Sequence, residues 1–194
     1  MKLKVPLVLL CLLGVAVRAA SVFKAGFAER DITPDIGMEA PGGYGKSFHR
    51  SFHDPCKVRV AVLDDGKLRV ALVSLDLLFV NRYLVKEMRA EIGKRCGIKP
   101  ECVLVAATHT HSGGPVGMAE PGDYDNAPEL VRMLHYEKST VANPVYIERV
   151  KRQTVGAVVD ADANRTDARL AIGFGHEDKV AFNRRLRMKN GLTY

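Results

Sequence analysis

The chain has 194 residues, 29 of them Lys or Arg and 22 Asp or Glu, for a formal net charge of +7. Three of the basic residues (Lys2, Lys4 and Arg18) sit in an N-terminal leader, so the remainder carries +4. Its basic residues are scattered apart from Lys151-Arg152 and Arg184-Arg185-Leu186-Arg187, and a mild charge without interleaved aromatics argues against a nucleic-acid surface.

The leader is the first element. Lys2 and Lys4 form a positive region, residues 5–17 an apolar run broken by Pro6 and Gly14, and Val17-Arg18-Ala19 supplies small residues for cleavage. This layout predicts a secretory signal peptide over residues 1–19. The run is shorter than the roughly 20 residues that span a bilayer. Its removal leaves residues 20–194, the size of one ordinary domain, in a secreted, periplasmic or extracellular location. Export permits oxidation, but only Cys56, Cys96 and Cys102 remain. An odd count makes no disulfide framework. If one bridge forms, Cys96 and Cys102 are the nearest pair.

Residues 23–32 read as a strand running into the turn Thr33-Pro34-Asp35. Pro41-Gly42-Gly43-Tyr44-Gly45 is a glycine-rich loop, suited to close backbone approach or simply to the surface. Residues 57–63 alternate and are rich in valine, Asp64-Asp65-Gly66 is a turn, and residues 68–75 form a second strand. Together they make a hairpin. Residues 83–96 carry Leu84, Met88 and Ile92 at helical spacing, and Gly97 stands where a helix C-cap belongs. Residues 102–107 are a continuous apolar strand.

A strand, helix, strand unit makes two parallel strands with a right-handed crossover. The expected fold class is therefore α/β, a mixed sheet containing one such unit. Asp76 and His109 follow the two strands and fall on one edge, where open α/β sheets bind ligands. Residues 112–143 read as irregular, and a loop of that length is functional or mobile. Asn143-Pro144 opens a helix through about residue 161, with Pro144 suited to the first turn. Residues 168–175 and 180–188 read as strands, and Lys189-Asn190-Gly191 as a hairpin turn. So little follows the turn that the return strand is expected further along a longer protein.

The densest chemistry is Thr108-His109-Thr110-His111-Ser112-Gly113-Gly114-Pro115. Residues two apart on an extended backbone share a side, so His109 and His111 can face one cleft. Such a pair suits zinc, which takes neutral imidazole nitrogens and needs about three protein ligands in a catalytic site. Zinc there would ionise a water near neutral pH for attack on a carbonyl. Two hydrogen-bonded loop histidines are the plainer reading of the same residues. Asp76 would orient an imidazole or the water, or cap the following loop. His53-Asp54-Pro55 is a weaker candidate for a supporting or substrate contact, and Asn183-Arg184-Arg185 for a polar or anionic group. His135 and His176 read as surface. Asn164-Arg165-Thr166 is a glycosylation sequon in a eukaryotic secretory route.

Asp31-Ile32-Thr33-Pro34, Gly42-Gly43-Tyr44-Gly45, His53-Asp54-Pro55, Ser74-Leu75-Asp76, Thr108-His109-Thr110-His111-Ser112-Gly113 and Phe182-Asn183-Arg184-Arg185 resemble, in order and spacing, the N-terminal part of the neutral/alkaline non-lysosomal ceramidases. The resemblance implies a zinc-dependent amidase that splits N-acylsphingosine into sphingosine and a fatty acid. It implies His109 as a zinc ligand and His111 beside the substrate, with a second histidine, a glutamate and a tyrosine completing the site beyond Tyr194. It also implies a lipid or other N-acyl substrate, with peripheral membrane contact. A metal-free cell-surface binding module of the same fold, and a zinc hydrolase of another amide or ester, are the alternatives.

Overall fold

The computed structural model describes residues 22–43, 45–117 and 119–193. The expected signal peptide, residues 1–19, lies outside them. The strands are β1 (Lys24–Asp31), β2 (Lys57–Asp64), β3 (Arg69–Leu75), β4 (Val103–Ala107) and β5 (Thr166–Asp167). The helices are α1 (Arg82–Cys96), α2 (Glu129–Tyr136) and α3 (Pro144–Ala163). The five strands form one mixed sheet in the order β4-β3-β2-β1-β5. β3 and β4 are parallel, with Leu75 opposite Ala107. The other pairs are antiparallel. The α/β class and the strand, helix, strand unit expected from the sequence are both present.

Local chemistry explains the elements. The β2–β3 turn closes with Gly66 at φ 80°, and Asp65 accepts from the backbone N–H groups of Lys67 and Leu68. α1 buries Leu84, Met88 and Ile92 and ends on Gly97 in the left-handed region at φ 68°. α3 begins at Pro144, and the Asn143 side chain accepts from Tyr146 N–H at 3.0 Å.

Strand alternation divides the sheet into two faces. Val58, Val60, Val62, Ala71, Val73 and Leu75 lie with the buried faces of α1 and α3 in a single core. On the opposite face Phe27, Ala61, Leu72 and Leu104 stand in one cross-strand row, and Phe27, Leu72 and Leu104 are exposed.

Two expectations are corrected. Residues 112–143 are not irregular throughout: α2 forms there, with Leu130, Met133 and Leu134 at helical spacing, and residues 113–117 are buried. Residues 168–175 and 180–188 are not strands. They run exposed and irregular after β5, with Leu170, Ile172, Phe174, Val180 and Phe182 in the open. An alternating pattern makes a strand only when another strand satisfies its backbone, and none does here among the described residues. The turn at Asn190-Gly191 does form, carrying a bridge between Arg187 and Thr193. Cys56, Cys96 and Cys102 are free thiols. Among the described residues, no helix is long and apolar enough to cross a membrane.

Candidate functional site

β3 and β4 deliver their last residues to one edge, as the crossover requires. The pairing runs one residue past β4, with Thr108 N–H donating to Leu75 O at 2.9 Å. His109 then turns the chain at φ 65°, the single non-glycine residue with positive φ among those described. The turn brings its Nδ1 to 2.8 Å from the backbone carbonyl of Leu78. A carbonyl can only accept, so Nδ1 carries the proton and the neutral ring keeps its lone pair on Nε2. The His111 ring stands edge-on to His109, centroids 5.0 Å apart at 86°. The glycine-rich loop lies against it. A Cβ on Gly42 (φ 101°) would stand 2.6 Å from His111 Cβ, so only glycine allows this approach.

The backbone after the histidines is clamped. Buried His49 donates from Nε2 to Gly113 O at 2.9 Å. A Cβ on Gly114 would run into the Tyr146 ring, and the Tyr146 hydroxyl donates to Ile32 O at 2.7 Å within the core. Sequence reasoning took His49, with His53, as a weaker candidate that would more simply stabilise a turn, and it missed Tyr146, since nothing local marks a distant carbonyl as a partner.

Two clefts meet at this edge. The larger, about 670 Å³, lies between the glycine-rich loop and the end of α2, with Leu78, Phe79, Leu134 and Lys138 in its wall beside His109 and His111. The smaller, about 400 Å³, is polar and is lined by Ser51, His53, Asp54, Asp76, Thr110 and Ser112 together with His111. His111 is thus common to both. Leu134 and Lys138 were overlooked with α2, although the spacing of Leu130, Met133 and Leu134 was the available signal.

Asp76 shares the edge with His109, but its carboxylate belongs to the polar cleft. Oδ2 accepts from Lys57 N–H at 2.9 Å and from Arg59 Nη1 at 2.8 Å. Buried Cys56 sits beside it, and its Sγ donates to Ser112 O at 3.6 Å. Burial, then the Asp76 and Asp31 carboxylates, push the Cys56 thiol above its ordinary 9.0. It is therefore protonated at neutral pH and a poor nucleophile.

The remaining candidates are placed as follows. His53 and Asp54 pair at 2.9 Å with side chains 97% and 85% exposed, at the mouth of the polar cleft. Asn183-Arg184-Arg185 lies in the exposed C-terminal segment and lines neither cleft. His176 is exposed, as expected. His135 is half-buried, stacked on Tyr124 at 3.7 Å.

No family model matches the sequence, and no curated protein matches it. Solved structures do. The chain is similar to neutral ceramidase from Pseudomonas aeruginosa, with a TM-score of 0.59 and 17% identity, over 75% of this chain and 22% of that one. It is also similar to a ceramidase complexed with C2, with a TM-score of 0.55 and 18% identity over the same shares. The chain therefore has a ceramidase-like α/β fold and spans about 22% of the length of these solved chains.

Proposed function

We propose that this chain carries part of the active site of a zinc-dependent hydrolase that cleaves the amide between an acyl chain and a polar amine, as a ceramidase does. The observation that supports it is the junction at His111. An imidazole pair stands where an apolar-walled cleft meets a polar one. A molecule with one apolar and one polar half would lie across that junction with its linking bond beside the two histidines.

His109 fits one corner of a zinc site. Its Nδ1–H is held by a backbone carbonyl, the usual support of a metal-binding imidazole, and Nε2 is left to bind. Among the described residues no group of three His, Cys, Asp or Glu is placed to hold a metal. The other ligands would come from further along a complete chain, as the resemblance to ceramidases implies. Zinc, when bound, would supply Lewis acidity and a water ionised near neutral pH.

The chain's own residues would do the rest. His111 is exposed and makes no hydrogen bond to the described residues, so it is free to exchange a proton at the amide nitrogen. Asp76 Oδ1 has no partner among the described residues and would accept a hydrogen bond from the amine half. A lipid substrate would bring the exported chain to a membrane surface.

The test is hydrolysis of a panel of N-acyl amides, N-acylsphingosine included, by the product of the complete reading frame. His111→Asn should lower kcat by about 10²-fold or more, the usual worth of a positioned acid–base group, while KM changes little. Absence of hydrolysis across the panel, or full activity in His111→Asn, would refute the reading.

A further inference from the structure

The larger cleft contains a charge that cleavage of a neutral amide does not need. Its wall is Pro41, Leu78, Phe79 and Leu134 around the two histidines, and Lys138 is its one formally charged lining residue among those described. The Lys138 ammonium has no hydrogen-bond or ion-pair partner among the described residues. Its backbone N–H donates to Met133 O at 3.2 Å, which fixes its position just past α2. A cation near a helix C-terminus is favoured by the helix dipole, but Lys46 already fills that role, donating from Nζ to Tyr136 O at 2.7 Å. Lys46 is itself neutralised by Glu39 at 2.8 Å. The carboxylates of this edge, Asp54 and Asp76, lie in the other cleft.

We propose that the cleft takes an anionic amphiphile, an N-acyl amino acid whose carboxylate is held by Lys138 while its acyl chain lies along Leu78, Phe79 and Leu134. The proposal rests on the acyl-amide reading beside the two histidines and names its substrate class; for an anionic amine half it puts Lys138 in the place that Asp76 would take for a neutral one. In such a molecule the carboxylate is one carbon from the amide nitrogen. With the amide beside His111, the flexible four-carbon stem of lysine would have to extend along the cleft that the two residues share.

Binding can be read without turnover. N-lauroylglycine, N-lauroylethanolamine and laurate would be titrated calorimetrically into the full chain in chelator, below their micelle concentrations. The native chain should bind lauroylglycine up to about fivefold more tightly than the neutral ethanolamide, the worth of one ion pair at an exposed rim. The preference should shrink with added salt. It should vanish in Lys138→Gln and reverse in Lys138→Glu, with circular dichroism unchanged in both. Equal affinities in the native chain, a preference that survives Lys138→Gln, laurate binding as tightly as lauroylglycine, or no saturable binding would each overturn the proposal. Because no metal is present, these results stand apart from the zinc and hydrolysis tests, and either reading can fail alone.

Discussion

His109 occupies a backbone region that its side chain disfavours, and a pair of substitutions separates that strain from the imidazole. At φ 65° an L-residue carries a penalty of roughly 1–2 kcal/mol that glycine does not. His109→Ala and His109→Gly both delete the ring and its bond to Leu78 O; they differ only in Cβ. At ordinary positions glycine is the less stable of the two by roughly 0.5–1 kcal/mol. Here the left-handed penalty on alanine outweighs that entropy, so His109→Gly should be the more stable by about 0.5–1 kcal/mol. For a chain of this size that is roughly 1–4 °C in Tm. Urea denaturation of both variants, followed by far-UV circular dichroism, measures the difference. Should His109→Ala prove the more stable, the left-handed turn that sends the ring to Leu78 is wrong, and with it the assignment of the Nε2 lone pair. Strain of this kind collects at functional sites, and this turn sets the direction of Nε2.

Three further outcomes follow from the same geometry. Gly42→Ala places a methyl against His111 at a positive φ, which should cost about 1–3 kcal/mol and shift the His111 ring resonances in NMR, whereas unchanged resonances would mean the loop does not touch the ring. Tyr146→Phe leaves the carbonyl of Ile32 unpaired in the core and should cost about 1–3 kcal/mol in denaturant. Cys56 has its folded pKa raised, so its contribution to stability is complete below 9.0 and lost as pH rises above that value; Cys56→Ala should flatten the loss of Tm above pH 9.0, and an unchanged slope would contradict it.

The sheet was legible because its signals are local. Leu84, Met88 and Ile92 repeat at helical spacing and Gly97 stops them, while the valines of β2 alternate to one face. Chain order then placed Asp76 and His109 on one edge. It could not say that Asp76 turns toward Lys57 N–H and Arg59, because that partner choice depends on β2, next door in the sheet but distant in sequence. The C-terminal segment shows the opposite failure. Leu170, Ile172 and Phe174 alternate as a strand does, yet among the described residues no strand pairs with them. α2 was hidden by the glycines and acids around it, and with it went Leu134 and Lys138, two walls of the larger cleft.

The central claim is that His109 binds zinc, and zinc per chain tests it most directly. The product of the complete reading frame would be purified without chelators and analysed for metal, with His109→Gly alongside because that substitution removes the ligand without adding strain. Near one zinc per native chain, lost in His109→Gly while the fold persists, is the result the account predicts. A folded native protein without zinc, or a His109→Gly variant that keeps it, would contradict the account.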